Sequence, residues 1–122
     1  MEIYGKELIL DLRDCHTPFS REEIENYMKE LCSLIDMKRE DLHFWDYEGD
    51  PEGYKKAPSH LKGTSAVQFI KTSNITIHVL DDLGKVFLNI FSCKLFDVEE
   101  AKEFSKKWFG GRISHLWEIS RV

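Results

Sequence analysis

The stretch from residue 63 to residue 93 is the part of the chain richest in side chains that act as nucleophiles, acids or bases. The candidates in it are two of its serines, a histidine, a cysteine and a carboxylate pair: Ser65, Ser73, His78, Cys93, Asp81 and Asp82. Serine and cysteine become effective nucleophiles when a neighbouring base takes their proton, and histidine titrates near neutrality. The stretch is therefore a candidate catalytic site. The alternative is structural, because His78 is flanked by aliphatic residues, a buried cysteine is usually inert, and aspartates favour turns.

A tight hairpin brings some of these side chains together. The run Asp-Asp-Leu-Gly at 81–84 predicts a turn between two antiparallel strands. Pairing outward from this turn places His78 opposite Phe87 and Ser73 within about a residue of Cys93. Ser73 and His78 are five residues apart, and an odd separation along a straight strand puts them on opposite faces. They meet in one chain only if the strand bends or breaks near Ser73.

The elements that position these residues follow from hydrophobic periodicity and capping signals. Alternating leucines predict a first strand, and Ser20 with Glu23 forms a capping box before a helix. Asp97 with Glu100 starts a second helix, which ends at a glycine pair. The predicted strands are 6–14, 41–47, 65–71, 74–80, 85–93 and 112–122, the helices are 20–36 and about 97–109, and 48–62 is a loop. This order predicts one α+β domain over 1–122, a two-layer sandwich whose mainly antiparallel sheet is covered on one face by two helices.

Composition excludes several classes of function. The chain has 122 residues and a net charge of −5 without a basic patch, which disfavours a nucleic-acid partner. Three cysteines without CxxC and five histidines without HxxxH spacing argue against a metal site or a disulfide framework. No apolar run approaches the length of a membrane helix, and the start of the chain lacks the pattern of a signal peptide. We therefore expect a cytoplasmic protein with no membrane partner.

The segment Gly63 to His78, with its continuation from Val86 to Cys93, resembles the prokaryotic, pyruvoyl-dependent S-adenosylmethionine decarboxylase proenzymes, of which this chain would be a divergent member. The early run Gly5 to Cys15 is similar to that family's first strand, and the helix from Val98 to Phe109 also fits. The resemblance runs from about residue 5 to 110 and is weakest between 40 and 62. Its most specific feature is the joint spacing of four residues: Ser65, Ser73, His78 and Cys93.

The resemblance implies a self-processing carboxy-lyase of spermidine (polyamine) biosynthesis, made as a zymogen. Autocatalytic cleavage between Thr72 and Ser73 would divide the 122-residue chain into fragments of 72 and 50 residues, with Ser73 becoming a pyruvoyl group. In the family, the pyruvoyl carbonyl captures the substrate amine and withdraws electrons as CO2 leaves. By the same match, Ser65 and His78 would assist processing and Cys93 would protonate the product carbon. The small prokaryotic members are homodimers with active sites near the interface, and no metal is implied.

The chain also departs from the family pattern, and these departures keep other functions open. Thr72-Ser73-Asn74 stands where the family has Glu-Ser-His, and Asp82 stands where the family has a glutamate that contacts the substrate ribose. No aromatic residue occupies the expected adenine-stacking position upstream of Gly63, for which Trp45, Tyr47 or Tyr54 are substitutes. One alternative is a pyruvoyl-dependent arginine or ornithine decarboxylase. The other is an uncleaved, non-catalytic relative that acts as a binding or regulatory partner.

Overall fold

A computed structural model describes residues 2–122 and shows one six-stranded antiparallel sheet with two principal helices. The order of strands across the sheet is β2-β3-β4-β5-β1-β6. The elements are β1 (Gly5–Arg13), α1 (Arg21–Leu34), β2 (Arg39–Trp45), α2 (Pro51–Lys56), a 3-10 turn (Ser59–Leu61), β3 (Gly63–Ile70), β4 (Ser73–Leu80), β5 (Lys85–Ser92), α3 (Val98–Phe109) and β6 (Arg112–Arg121). Within residues 2–122, no helix has both the length and the apolarity to span a bilayer.

The two principal helices begin where the capping signals predict. The Ser20 hydroxyl accepts a hydrogen bond from the Glu23 amide, and the Glu23 carboxylate accepts one from the Ser20 amide, so the capping box is complete. The Asp97 carboxylate accepts a hydrogen bond from the Glu100 amide at the start of α3. That helix ends at Gly110, whose φ of 66° is the left-handed conformation that glycine adopts at low cost.

The hydrophobic core lies between the helices and one face of the sheet. Alternate residues of the central strands point into it, among them Leu8, Leu10 and Leu12 of β1. Tyr27 of α1 and Phe109 of α3 are fully buried against this layer, with ring centroids 4.7 Å apart. The α+β two-layer prediction is therefore confirmed.

The opposite face of the sheet, which we call the open face, carries no helix in the described part of the chain. It presents exposed aromatic and aliphatic side chains from both edges of the sheet: Trp45, Phe69, Trp117 and Ile119. Large exposed apolar side chains on a sheet face without a helix are compatible with a protein–protein interface. The open face matters below because His78 also projects from it.

The prediction of a loop over 48–62 was wrong in part, because the segment contains α2 and a 3-10 turn. The Asp50 side chain accepts a hydrogen bond from the Gly53 amide, and Pro51 occupies the first turn of α2. Proline is favoured at that position, since its missing amide proton would have no partner there. The residues that suggested a loop are therefore a helix-start signal.

Candidate active site

The hairpin turn between β3 and β4 places Ser73 directly after a residue in an unusual backbone conformation. Ile70 pairs with Ser73, so Lys71 and Thr72 are the two residues of the turn. Thr72 has φ +55°, a left-handed conformation that a β-branched residue adopts only under strain. The peptide bond that follows Thr72 is the bond that the sequence predicts to be cleaved.

The Ser73 hydroxyl is held against Cys93, which follows the end of β5. The Cys93 amide donates a hydrogen bond to Ser73 Oγ at 2.9 Å. Because Oγ accepts this bond, its own proton is free to be given to a base. β4 pairs with β5 from Leu80 opposite Lys85 to Asn74 opposite Phe91, and His78 lies opposite Phe87 as predicted. The paired region ends one residue before Ser73. The predicted register of the hairpin is therefore confirmed.

Thr72 contacts the same cysteine through its side chain. Its Oγ1 lies 3.1 Å from Cys93 Sγ and donates a hydrogen bond to the Lys71 carbonyl at 2.8 Å. A cavity of about 320 Å³ opens at this turn, with Thr72, Cys93 and Lys94 in its lining. A small molecule therefore has access to the thiol from solvent.

Cys93 differs electrostatically from the other two cysteines. Hydrogen bonds from Thr72 and then Ser73 hold the pKa of its thiol below the ordinary value, with a smaller contribution from the charge of Lys71. Burial instead raises the pKa values of Cys15 and Cys32 to about 11. Cys32 is 1% exposed in the core. Cys93 is only half-buried, so the structural alternative of a buried, inert cysteine does not describe it.

Ser65 and His78 form a second pair on the open face. They are directly opposite each other on β3 and β4, and Ser65 Oγ lies 2.8 Å from His78 Nδ1. Ser73 is buried toward the core side and His78 is exposed on the other side. Because β4 is continuous from Ser73 to Leu80, Ser73 and His78, five residues apart, lie roughly 16 Å from each other along the strand. The Ser73–Cys93 pair and the Ser65–His78 pair are therefore separate. The predicted placement on opposite faces is confirmed, and one chain does not bring all four side chains together.

A cleft of about 290 Å³ adjoins the Ser65–His78 pair. Trp45 and His60 line one part of it, and Phe87 lines another. Of the three aromatic residues that the sequence suggests as substitutes for the adenine-stacking residue, Trp45 alone lines this cleft. Planar aromatic surfaces of this type suit a heterocyclic ligand.

The other two aromatic candidates make structural contacts. The Tyr47 hydroxyl donates to the Leu61 carbonyl at 2.8 Å, and the Tyr54 hydroxyl donates to the Asp81 carboxylate at 2.7 Å. The bond to Asp81 raises the pKa of Tyr54 to about 12, while partial burial raises the pKa of Asp81 itself. These bonds fasten the 48–62 segment beside the cleft. The sequence does not reveal them, since they join residues distant along the chain.

Asp82 lies on the turn after β4, at the same end of the hairpin as the cleft. Its carboxylate accepts a hydrogen bond from the Ser59 hydroxyl at 3.0 Å and faces Lys62 Nζ at 3.6 Å. The side chain is exposed. Asp82 does not line the cleft itself but follows Leu80, which does, by two residues, and a ligand would compete with its two partners. Residues 2–122 contain no cluster of three or more side chains suited to hold a metal ion.

Comparison with known proteins supports the fold and identifies the family. The crystal structure of the adenosylmethionine decarboxylase from Aquifex aeolicus VF5 superimposes with a TM-score of 0.75, covering 99% of this chain and 92% of that one at 14% identity. At this identity the likeness establishes the fold alone. No curated protein sequence matches the chain. The family model described as S-adenosylmethionine decarboxylase matches residues 6–122. The chain therefore belongs to the S-adenosylmethionine decarboxylase family, whose members are carboxy-lyases.

Proposed function

We propose that this protein cleaves itself between Thr72 and Ser73 and then decarboxylates S-adenosylmethionine through the pyruvoyl group formed at position 73. The product would supply the aminopropyl donor for spermidine. The observation that carries the proposal is the geometry of the turn, where a strained Thr72 precedes a serine whose Oγ is oriented by the Cys93 amide. Family membership provides the chemical context.

Cleavage uses only this chain and water. Ser73 Oγ attacks the Thr72 carbonyl carbon, and the Thr72–Ser73 amide becomes an ester as the Ser73 nitrogen takes a proton. Loss of the Ser73 α-proton and of the Thr72 carboxylate then breaks the ester and leaves a dehydroalanine. Its imine tautomer takes up water and releases ammonia, giving the pyruvoyl end. Relief of the left-handed Thr72 conformation favours the first step, because that conformation costs about 1–3 kcal/mol in the intact chain.

The residues around Ser73 fit the group that would form there. A pyruvoyl group serves as an electron sink for carbanion chemistry, the role that pyridoxal phosphate has in other decarboxylases. Cys93 brings an acidic thiol to the same turn, since its amide contacts the Ser73 side chain. We assign Cys93 the protonation of the carbon that loses CO2.

The cleft beside Trp45 is the proposed site for the adenosyl moiety. Trp45 is 61% exposed, so one face of its indole is free to stack on adenine. Asp82, near the cleft, is assigned to bind the ribose, because its carboxylate can accept hydrogen bonds from the ribose hydroxyls. These assignments favour S-adenosylmethionine over arginine or ornithine, which lack an aromatic ring.

A homodimer resolves the separation of the two pairs. Within one chain, the Ser65–His78 pair lies on the open face, roughly 16 Å along the strand from Ser73. Two sheets that pack face to face lie about 10 Å apart, so a second copy on the open face brings its own Ser65 and His78 toward the start of the first copy's β4, where the Thr72–Ser73 peptide bond lies. The exposed apolar residues of the open face provide the contact surface for this packing.

Intact-mass measurement of the denatured protein tests the cleavage. The proposal expects fragments of 72 and 50 residues in place of the 14.4 kDa chain. Together they should exceed the mass of the chain by one water less one ammonia, and a carbonyl reagent should label the smaller fragment. Ser73→Ala is the control that must stay intact. A wild-type chain that remains whole for days at neutral pH would refute self-processing.

A wild-type chain that stays whole would favour the second candidate function, that of an uncleaved, non-catalytic relative. The observation that favours this candidate is Thr72-Ser73-Asn74 in place of Glu-Ser-His. If cleavage occurs, release of labelled CO2 from carboxyl-labelled substrates identifies the substrate. S-adenosylmethionine should be turned over, while arginine and ornithine should not. Turnover of either amino acid in preference to S-adenosylmethionine would refute the assignment of the cleft.

A further inference from the structure

The Thr72 hydroxyl occupies a position between two acceptors at the cleavage turn. Its Oγ1 lies 2.8 Å from the Lys71 carbonyl oxygen and 3.1 Å from Cys93 Sγ. A hydroxyl has one proton to donate. While that proton goes to the Lys71 carbonyl, Oγ1 can only accept from Cys93, which requires the protonated thiol. When Cys93 is a thiolate, the hydroxyl turns its proton toward sulfur instead.

We propose that Thr72 is a positioning residue, whose hydroxyl orients the Cys93 thiol at the cleavage turn and stabilises its thiolate by turning one proton from the Lys71 carbonyl to Sγ. The inference rests on the proposed function, because there Cys93 donates a proton and must afterwards be reprotonated. In the family pattern that the sequence resembles, glutamate typically stands at this position. A carboxylate would repel a thiolate, whereas a hydroxyl donates to it.

Other charged groups border the same cavity, and they also affect the protonation of Cys93. Lys71 is the neighbouring turn residue, and Lys38 and Lys94 approach from the segments that follow α1 and β5. Lys94 Nζ is paired with the Asp36 carboxylate at 2.6 Å, which neutralises much of its effect. Of these charges, that of Lys71 acts on Cys93 in the same direction as the Thr72 hydrogen bond but more weakly. The hydroxyl and the Lys71 charge can therefore be separated by substitution.

The test is the pH dependence of alkylation of Cys93 by iodoacetamide, followed by mass spectrometry on chains that carry Ser73→Ala and therefore stay uncleaved; in this series the Ser73→Ala parent, with Thr72 unchanged, is the wild-type reference. The reagent reaches Cys93 through the 320 Å³ cavity. Cys15 and Cys32 are buried with pKa values of about 11 and provide internal controls that stay unlabelled near neutrality. Thr72→Val removes the hydroxyl and keeps the branched shape. Thr72→Ser keeps the hydroxyl.

Thr72→Val should shift the alkylation profile to higher pH and slow labelling at neutral pH by roughly threefold or more, the effect of losing one hydrogen bond. Thr72→Ser should retain the wild-type profile, and Lys71→Ala should shift the profile less than Thr72→Val does. A Thr72→Val profile equal to wild type would overturn the inference, as would an equal shift in Thr72→Ser. Thr72→Ala provides a second hydroxyl-free variant if the valine variant fails to fold. Failure of self-cleavage would leave these results readable, because they are measured on the intact chain.

Discussion

The strained turn at Thr72 leads to a quantitative prediction about the substitution Thr72→Gly. Thr72 has φ +55°, and glycine adopts that conformation without a steric penalty. The substitution therefore lowers the free energy of the intact turn. If the strain is released as the Thr72–Ser73 amide is attacked, glycine must also raise the barrier to cleavage.

The size of both effects follows from the cost of the left-handed conformation. That cost is about 1–3 kcal/mol for a non-glycine residue. If all of it is released in the transition state, cleavage slows by roughly 5- to 150-fold, since each 1.36 kcal/mol is a factor of about ten. In a Ser73→Ala background, which cannot cleave, Thr72→Gly should raise the free energy of unfolding by about 1 kcal/mol. The net value is smaller than the strain because glycine also increases the entropy of the unfolded chain.

The assay starts cleavage by refolding the denatured proenzyme and follows the intact chain by mass spectrometry of quenched samples. Thr72→Val is the matched control, because it removes the hydroxyl but keeps the branched side chain in the left-handed conformation. It should cleave at nearly the wild-type rate. If Thr72→Gly stabilises the Ser73→Ala chain and still cleaves as fast as wild type, the strain does not drive cleavage and the reasoning is refuted.

Three further predictions concern the cleft, the open face and the core. Trp45→Ala should raise KM for S-adenosylmethionine by about tenfold or more with a smaller change in kcat, Trp45→Phe should be intermediate, and an unchanged KM would exclude adenine stacking there. Trp117→Glu should halve the particle mass measured by light scattering, whereas Lys107→Glu on the helical side should not; a monomeric wild type would contradict the dimer. The fully buried Tyr27 hydroxyl lies 2.7 Å from Ser105 Oγ. Ser105→Ala should lower the free energy of unfolding by about 1–3 kcal/mol, because it leaves that hydroxyl without its hydrogen-bond partner. Tyr27→Phe should cost less, because Ser105 still donates to a carbonyl, and denaturant titration that reverses this order would refute the argument.

Local signals were sufficient for much of the fold. The capping box at Ser20 and the glycine at the end of α3 depend on residues only a few positions apart, so the sequence predicts both. The hairpin register also follows from its own turn, and it correctly places His78 opposite Phe87. The Asp50–Pro51 signal is equally local, but proline and glycine favour loops as well as helix starts, so the sequence predicts a loop where the structure has α2.

Predicting the candidate site required both the sequence and the tertiary structure. The sequence alone determined the spacing of Ser65, Ser73, His78 and Cys93, and strand geometry alone required Ser73 and His78 to face opposite ways. Whether β4 breaks near Ser73 was decided only by the sheet, where pairing with β3 from Ser73 and with β5 from Asn74 continues without a register shift to His78. The contact between Thr72 Oγ1 and Cys93 Sγ likewise needs the turn and the end of β5 to meet in space. Sequence carries the chemistry of each side chain, but orientation depends on backbone conformation and on partners from distant segments, so only tertiary structure decided which groups meet.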